Sequence, residues 1–214
     1  RMTPEALWAM GRIGSYAVSP DGQKVVYQVG YYSVKQNKGH QVLYIMNTDG
    51  SDKKQLTTSA KSETDPAWIE GGSRIAFIHD GQVWTSAPDG TDRKQLTKED
   101  DGVEGFKFSP DGKKIVIIKQ VPTYTSIQKR PDDLPKSTGL VINDMNYRHW
   151  DEYVETIPHP FVADVTADGI QNIKDILKDE PYESPVKPFG GTEQLDWSKD
   201  SKCIAYTSRK KTGV

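Results

Sequence analysis

The chain alternates short apolar stretches with polar turns, and this alternation repeats along its length. Each repeat begins with an apolar residue followed by Ser-Pro-Asp-Gly or a degenerate copy of it, and a second apolar residue follows nine positions later. The first residues of the four pairs are Val18, Trp68, Phe108 and Trp197, and the second are Tyr27, Phe77, Ile117 and Tyr206. The recurring register predicts a fold assembled from structural repeats.

Two motifs define one repeat. Ser-Pro-Asp-Gly, at residues 19–22 and 109–112, is typical of a type I turn between two strands. The motif Asp-Gly-x-Asp-x-Lys-Gln-Leu-Thr, at residues 49–57, recurs at residues 89–97, an offset of 40. We interpret both motifs as turn and packing elements rather than as catalytic or binding residues. Four short antiparallel strands in about 40 residues are typical of one blade of a β-propeller.

The predicted fold class is therefore all-β, a β-propeller built from four-stranded antiparallel blades. Residues 1–15 are assigned to a lead-in helix and residues 16–214 to a partial propeller. The predicted blades are residues 16–57, 66–97, 106–178 with an insertion at 120–158, and an incomplete 195–214. Complete propellers have about four to eight blades, so about three and a half blades indicate the front part of a longer protein.

Composition narrows the classes of function. The 214 residues include 28 basic and 30 acidic side chains, for a net charge of −2, which argues against a general nucleic-acid binder. No apolar run approaches the roughly 18 residues of a membrane span, and the single cysteine cannot form an internal disulfide. No signal peptide is visible, so we expect a periplasmic or secreted location if a leader was removed and a cytoplasmic one otherwise.

Two further segments carry a family resemblance. Thr3-Pro-Glu-Ala-Leu-Trp8 precedes the first repeat, and Tyr147-Arg-His-Trp-Asp-Glu-Tyr153 leads into His159-Pro-Phe-Val-Ala-Asp164. Together with the repeats, these segments resemble the N-terminal propellers of prolyl oligopeptidase-family serine peptidases, in the dipeptidyl-peptidase and acylaminoacyl-peptidase branch. Repeats of this class also occur in periplasmic TolB-like propellers, so a non-catalytic propeller that binds protein partners stays the alternative.

The resemblance implies a serine exopeptidase that acts on peptides and whose propeller gates substrate access and helps to recognise the substrate's N-terminus. It also implies that the catalytic residues lie on a C-terminal α/β-hydrolase domain of the same protein. The nucleophile motif Gly-x-Ser-x-Gly of such a domain is absent from these 214 residues, so we predict no catalytic residue within this chain. The parent protein is then a serine peptidase, a hydrolase, and this segment alone should not hydrolyse peptides.

The insertion at 120–158 holds the candidate substrate-binding residues, because long loops in compact domains are often functional. In dipeptidyl peptidases of this family, acidic propeller residues hold the substrate's ammonium group, and a carboxylate pair favours a bound cation. Glu152 and Glu155 would share one helical face if this stretch is helical, and Arg148 could pair with a substrate carboxylate or carbonyl. A solvated acidic turn, or salt bridges to another domain, is the alternative interpretation.

The histidines and the single cysteine indicate neither a metal site nor a catalytic nucleophile. None of the four histidines has a partner at metal-ligand spacing, and only His149 has a neighbourhood rich in charge and aromatic rings. Cys203 takes a slot that lysine or arginine holds in the other repeats, so we expect it at a strand surface rather than as a nucleophile. We therefore expect no metal and no cofactor.

Overall fold

The fold is known from a computed structural model that describes residues 1–122, 136, 154 and 156–210. One short helix, α1, covers Pro4–Ala9 and is capped by the Thr3 hydroxyl, which accepts from the Ala6 amide. All other long elements are strands, with two short 3-10 turns at Glu70–Gly72 and Thr192–Gln194. The strands are β1 Arg12–Val18, β2 Lys24–Ser33, β3 Lys38–Asn47, β4 Lys54–Gln55, β5 Glu63–Ile69, β6 Arg74–His79, β7 Gln82–Ser86, β8 Lys94–Gln95, β9 Gly105–Phe108, β10 Lys114–Pro122, β11 Thr156–Thr166, β12 Gly169–Asp175, β13 Leu195–Trp197 and β14 Ile204–Tyr206.

The strands form successive sheets in the order of the chain. The first sheet has the order β1-β2-β3-β4, the second β5-β6-β7-β8 and the third β9-β10-β11-β12. The paired strands of the first two sheets are antiparallel throughout. Within the described residues the fourth sheet consists of β13 and β14 alone. The all-β prediction with four-stranded antiparallel blades is confirmed.

Several boundaries differ from those expected. β1 begins at Arg12, inside residues 1–15, and α1 is only six residues long, so the lead-in segment is part helix and part strand. β10 runs to Pro122 and β11 starts at Thr156, where the two residues are paired. The segment between these strands is therefore residues 123–155, shorter than the expected 120–158.

The Ser-Pro-Asp-Gly turns close through their own side chains. In the first of them, the Ser19 hydroxyl donates to Asp21 Oδ1 at 2.5 Å and accepts from the Lys24 amide at 2.9 Å. The Gln23 amide donates to the same carboxylate at 3.0 Å. The hydrogen bond from Ser19 is the main cause of the lowered pKa of Asp21. Asp111 and Asp200 repeat this arrangement with Ser109 and Ser198, so the turn motif acts locally.

The Gln-Leu-Thr motif closes the outer edge of the first two sheets. The Thr57 hydroxyl accepts from the Leu43 amide at 3.0 Å, and the Thr97 hydroxyl accepts from the Val83 amide at 2.9 Å. The preceding glutamines donate to the threonine carbonyls, at 2.7 Å from Gln55 and 2.8 Å from Gln95. Each motif thus satisfies buried backbone groups just past a two-residue strand.

The chain divides into two compact units, Arg1–Val103 with Val165–Ile170, and Glu104–Asp164 with Gln171–Val214. In the first unit, an apolar core joins the first and second sheets through Val26, Leu43, Ile45, Leu56, Ile75 and Phe77. In the second unit, Val116 and Ile118 of β10 pack with Leu195 of β13. Burying each large side chain contributes about 1.5–3 kcal/mol.

A tryptophan hydrogen bond recurs between neighbouring sheets within each unit. Trp68 Nε1 donates to the Ala17 carbonyl at 3.0 Å in the first unit. Trp197 Nε1 donates to the Lys107 carbonyl at 3.1 Å in the second. Each tryptophan lies at the end of the strand that precedes the first turn of its repeat, so within each unit this position ties neighbouring sheets together.

Candidate functional site

The predicted substrate-binding residues Arg148, Glu152 and Glu155 lie outside the described residues, so their placement stays a prediction. The structure does describe the two strands between which their segment leaves the sheet. β10 and β11 pair from Lys114↔Asp164 to Pro122↔Thr156 without a change of register. This pair, called the stem below, is the described part of the candidate site.

The stem is held firmly on both faces. Val116 and Ile118 on one face belong to the core with Leu195. On the other face Lys119 lies opposite His159, and Lys119 Nζ lies 4.9 Å from the centre of the Phe161 ring, within reach of a cation–π interaction. A rigid base of this kind suits a functional segment, because side chains are positioned best by regular elements.

The far end of the stem, away from residues 123–155, closes with an ion pair. Lys114 Nζ lies 2.6 Å from Asp164 Oδ1, and Asn172 Nδ2 donates to the other carboxylate oxygen at 2.8 Å. The hydrogen bond from Lys114 is the main cause that lowers the pKa of Asp164. Asp164 therefore carries its negative charge through the neutral pH range.

A buried histidine lies near the end of the stem that carries the segment. His159 is 0% exposed, and its Nδ1 lies 2.9 Å from Oδ2 of Asp175. Asp175 Oδ1 also accepts from the Leu177 amide at 2.8 Å. Nε2 of His159 is buried and has no hydrogen-bond partner within the described residues. Because the ring does not meet solvent, it cannot contact a substrate, and we assign it no catalytic role.

The connection that follows β12 is tied to the same end of the stem. It runs over residues 176–194, whereas the corresponding connections of the first two sheets cover residues 56–62 and 96–104. The Ile176 amide donates to the Pro160 carbonyl at 3.2 Å, and the Ser184 amide donates to the Pro158 carbonyl at 2.9 Å. The long connection therefore holds the first residues of β11 from the side.

A partly exposed carboxylate completes this region. Glu104 Oε1 accepts from Gln120 Nε2 at 2.7 Å, and Glu104 Oε2 lies 3.2 Å from Lys187 Nζ. The side chains of Glu104 and Lys187 are 40% and 39% exposed. An ion pair this exposed contributes about 1 kcal/mol or less, so both groups remain open to competition by a charged ligand.

The first unit contains a separate shallow cleft of about 440 Å³. Its walls include His40, Ser62 and Thr64 and the ion pair of Lys61 with Asp80. The hydrogen bond from Lys61 is the main cause that lowers the pKa of Asp80. Both members of the pair are more than half exposed, at 61% and 58%, so solvent screens their charges. Nothing in its geometry aligns groups for a reaction.

Sequence reasoning missed the pairing of His159 with Asp175, since it examined the four histidines for metal-ligand spacing and singled out only the neighbourhood of His149. The correspondence that reveals this pairing lies in the backbone hydrogen bonds of the two sheets. The Ile176 amide donates to the Pro160 carbonyl as the Leu96 amide donates to the Val83 carbonyl, at 2.8 Å in the latter case. Asp175-Ile-Leu177 therefore takes the place of Gln-Leu-Thr, and aspartate replaces the glutamine.

The search for metal sites, the exposure of the cysteine and the search for membrane spans concern the described residues. Across residues 1–122, 136, 154 and 156–210, no cluster of His, Cys, Asp and Glu could hold a metal ion. Cys203 is exposed, as its position in the repeat predicts. In the same part of the chain, no helix is long and apolar enough to span a membrane.

Comparison with known proteins finds a propeller family and a group of peptidases. The TolB beta propeller domain family matches residues 8–145. Dipeptidyl-peptidase 5 of Porphyromonas gingivalis is 45% identical over 100% of this chain and 32% of its own length. Dipeptidyl-peptidase 5 of Porphyromonas endodontalis is 42% identical over 100% of this chain and 31% of its own length.

The chain thus spans about a third of the length of these curated relatives. Among solved structures, the acylaminoacyl peptidase of Pyrococcus horikoshii matches with a TM-score of 0.57 at 12% identity. The match covers 83% of this chain and 27% of that protein. At this identity the likeness concerns the fold alone, and it agrees with the propeller sheets described above.

Proposed function

Since the chain belongs to the TolB beta propeller domain family, we propose that it is the propeller segment of a serine dipeptidyl peptidase. The observation that carries the proposal is the match of the whole chain, at 42% and 45% identity, to two proteins named dipeptidyl-peptidase 5. The peptidase resemblance of the opening and insertion segments supports it. The catalytic serine, aspartate and histidine belong to an α/β-hydrolase domain outside these residues.

The propeller's part in the reaction is to restrict access and to recognise the free N-terminus of a peptide. A dipeptidyl peptidase must measure two residues from the ammonium group to the scissile bond. A carboxylate held at a fixed distance performs that measurement, because charge-assisted hydrogen bonds are strong and directional. The segment 123–155 carries Glu152 and Glu155 for this role, and Arg148 for a substrate carbonyl or carboxylate.

The described residues support this assignment through the stem. Among the described sheets, only the third departs from short connections, and it does so twice, at residues 123–155 and 176–194. The stem beneath the first of these segments is paired to its last residues and clamped by the second. Such a base can hold a recognition segment at a fixed distance from a reacting bond.

The test uses the full-length gene product with chromogenic dipeptidyl substrates, the same substrates N-acetylated, and a serine-directed inhibitor. We expect inhibitor-sensitive hydrolysis of the free-amine substrates and little of the acetylated ones. Glu152→Gln and Glu155→Gln should raise KM for free-amine substrates about 10- to 100-fold, as the loss of a hydrogen bond to a charged group predicts. Glu180→Gln, at an exposed position of the long connection, is the matched control.

Three results would contradict the proposal in distinct ways. The absence of any inhibitor-sensitive peptidase activity would leave the non-catalytic propeller that binds protein partners. Preference for the acetylated substrates would indicate an acylaminoacyl peptidase instead. An unchanged KM in both glutamate variants would remove the ammonium-binding role while keeping the peptidase. Fractionation of the producing cells distinguishes a periplasmic or secreted location from a cytoplasmic one.

A further inference from the structure

The outer edge of the third sheet departs from the repeat at four positions. In the second sheet the buried Thr97 hydroxyl accepts from the Val83 amide and donates to Gln82 Oε1 at 2.8 Å. In the third sheet the residues corresponding to Gln82, Val83, Gln95 and Thr97 are His159, Pro160, Asp175 and Leu177. The closing threonine is thus replaced by a histidine–aspartate pair.

The changes at Pro160 and Leu177 are compatible with each other. Pro160 has no amide hydrogen, so no buried donor is left unpaired when Leu177 supplies no hydroxyl. The histidine and the aspartate then form a contact that the other sheets lack. A buried pair of ionisable groups adds little stability compared with a neutral alternative of similar size. The threonine closure of the first two sheets shows that the fold itself does not require the pair.

The pair fixes the backbone where the chain returns from residues 123–155. Asp175 bridges His159 Nδ1, at 2.9 Å, and the Leu177 amide, at 2.8 Å. Pro158 and Pro160 on either side have restricted φ angles, and both their carbonyls accept hydrogen bonds from the long connection. His159 is therefore held by its ring, and its neighbours are held by their backbones.

We propose that His159 and Asp175 are positioning residues that set the direction in which the chain enters β11, and through it the affinity for the peptide substrate. This inference rests on the function proposed above, because it assigns substrate recognition to the segment that joins the stem. An error of about 1 Å in the position of a binding group is enough to weaken catalysis about 100-fold. His159 is the fourth residue of β11, three positions after Thr156.

Two substitutions of similar polarity separate positioning from mere folding. In His159→Asn the amide nitrogen can take the place of Nδ1 and keep the hydrogen bond to Asp175. In His159→Gln the amide is one bond further out and cannot make that contact within the same space. Asp175→Ala removes the acceptor entirely. Thr97→Val is the matched control, because it breaks the corresponding closure in the second sheet.

The measurement is KM and kcat of the full-length gene product on dipeptidyl substrates, together with amide hydrogen exchange across residues 156–166. We expect His159→Gln and Asp175→Ala to raise KM at least fivefold with kcat within twofold, and to speed exchange in β11. His159→Asn should behave as the wild type in both. Thr97→Val should lower stability without changing KM.

Equal effects of His159→Asn and His159→Gln would overturn the proposal, and so would a wild-type KM in all three variants. If Thr97→Val raises KM as much as His159→Gln and Asp175→Ala do, the rise reflects general destabilisation of the fold. That result would also reject the proposal. If the wild-type protein hydrolyses no dipeptidyl substrate, the proposed function fails by itself. The exchange rates then decide whether His159 and Asp175 hold β11.

Discussion

The second and third sheets share strand order and turn motifs, yet they join their central strands in different ways. In the second sheet β6 and β7 meet through Asp80 and Gly81, whose φ angles are 52° and 69°. Two residues of positive φ form the tight turn that suits an antiparallel hairpin, and Asp-Gly is a preferred pair for it. In the third sheet residues 123–155 occupy the same position in the hairpin.

Each of these two sheets has a glutamate at the start of its first strand or just before it, and the two glutamates differ in burial and in partners. Glu63 is 1% exposed and pairs with Arg93, and His79 Nδ1 lies 3.5 Å from its Oε1. Glu104, which precedes β9, is 40% exposed and contacts Gln120 and Lys187 beside the stem. Glu63 thus pairs with a side chain of its own sheet, whereas Glu104 contacts both the stem and the long connection at residues 176–194.

The largest effect we expect comes from removing the buried carboxylate of the second sheet. Glu63→Ala leaves the Arg93 guanidinium, 29% exposed, without its counter-charge. Removing one member of a buried pair costs about 3–5 kcal/mol, and the partial exposure of Arg93 places this case near the lower end. We expect a loss of about 3 kcal/mol in urea denaturation of the 214-residue chain.

Glu104→Ala is the control for this substitution in the third sheet. Its ion pair with Lys187 is exposed, so we expect a loss of about 1 kcal/mol or less. Equal losses for the two alanine variants would show that the two glutamates do not differ in role, and the comparison would fail.

The next effect concerns the closing threonine. Thr97→Val keeps the shape of the side chain but leaves the buried Val83 amide without an acceptor. An unsatisfied buried donor costs about 1–3 kcal/mol, so we expect a loss of about 2 kcal/mol of unfolding free energy.

Leu177→Thr tests the same position in the third sheet. Because Pro160 offers no amide hydrogen, the new hydroxyl would gain no donor there and would lie at a position that is 4% exposed. We expect destabilisation rather than a gain. Increased stability in this variant would contradict our account of why the threonine is absent from the third sheet.

The sequence predicts the repeated architecture well because turn chemistry is local. Ser19 and Asp21 close their turn within six residues, so the motif alone identifies it. The ends of β10 and β11 were not predictable in this way, since prolines at 122, 158 and 160 are typical of loops. The pairing survives because Pro160 directs its carbonyl toward Ile176, so its missing amide hydrogen also faces away from β10.

The contact between His159 and Asp175 was missed for a different reason. It joins residues 16 positions apart, and neither belongs to a motif of known chemistry. The comparison of corresponding positions in the second and third sheets reveals it, because both members of the threonine contact change together. The residues Arg148, Glu152 and Glu155 stay predictions, since they lie outside the described part of the chain.

A loop exchange tests the functional side of the comparison. Replacing residues 123–155 by Asp-Gly would give the stem the turn of the second sheet, with Pro122 and Thr156 flanking the turn as the pair His79 and Gln82 does. We expect the sheet to fold, because short loops cost less closure entropy. In the full-length gene product, KM for dipeptidyl substrates should rise at least as much as in the single glutamate variants, about 10- to 100-fold, which corresponds to about 1.4–2.8 kcal/mol.

A glycine–serine segment of the same length provides the control for the exchange. If it restores the wild-type KM, the length of the segment matters and its side chains do not. If neither replacement changes KM, the segment has no part in substrate binding.

The smallest effect we expect is a loss of stability at low pH that comes from the turn of the third sheet and has no counterpart in the turn of the second. The third sheet turns through Asp111, whereas the second turns through Glu70-Gly-Gly-Ser73 and has no aspartate there. The hydrogen bond from Ser109, followed by that from the Lys113 amide, lowers the pKa of Asp111. A carboxyl group whose folded pKa lies below its unfolded value of about 3.9 stabilises the fold at higher pH, and this contribution is lost as pH falls through the folded pKa.

Asp111→Asn should therefore differ from the wild type in its urea midpoint at pH 6 and differ less at pH 3. The side chain is at the surface, so the change is small and requires parallel titrations of both proteins. The wild-type contribution is present above about pH 4 and declines below it, because only the charged form accepts the full set of turn hydrogen bonds. A difference between the two proteins that stays constant from pH 6 to pH 3 would mean that the aspartate acts in this turn only through its shape.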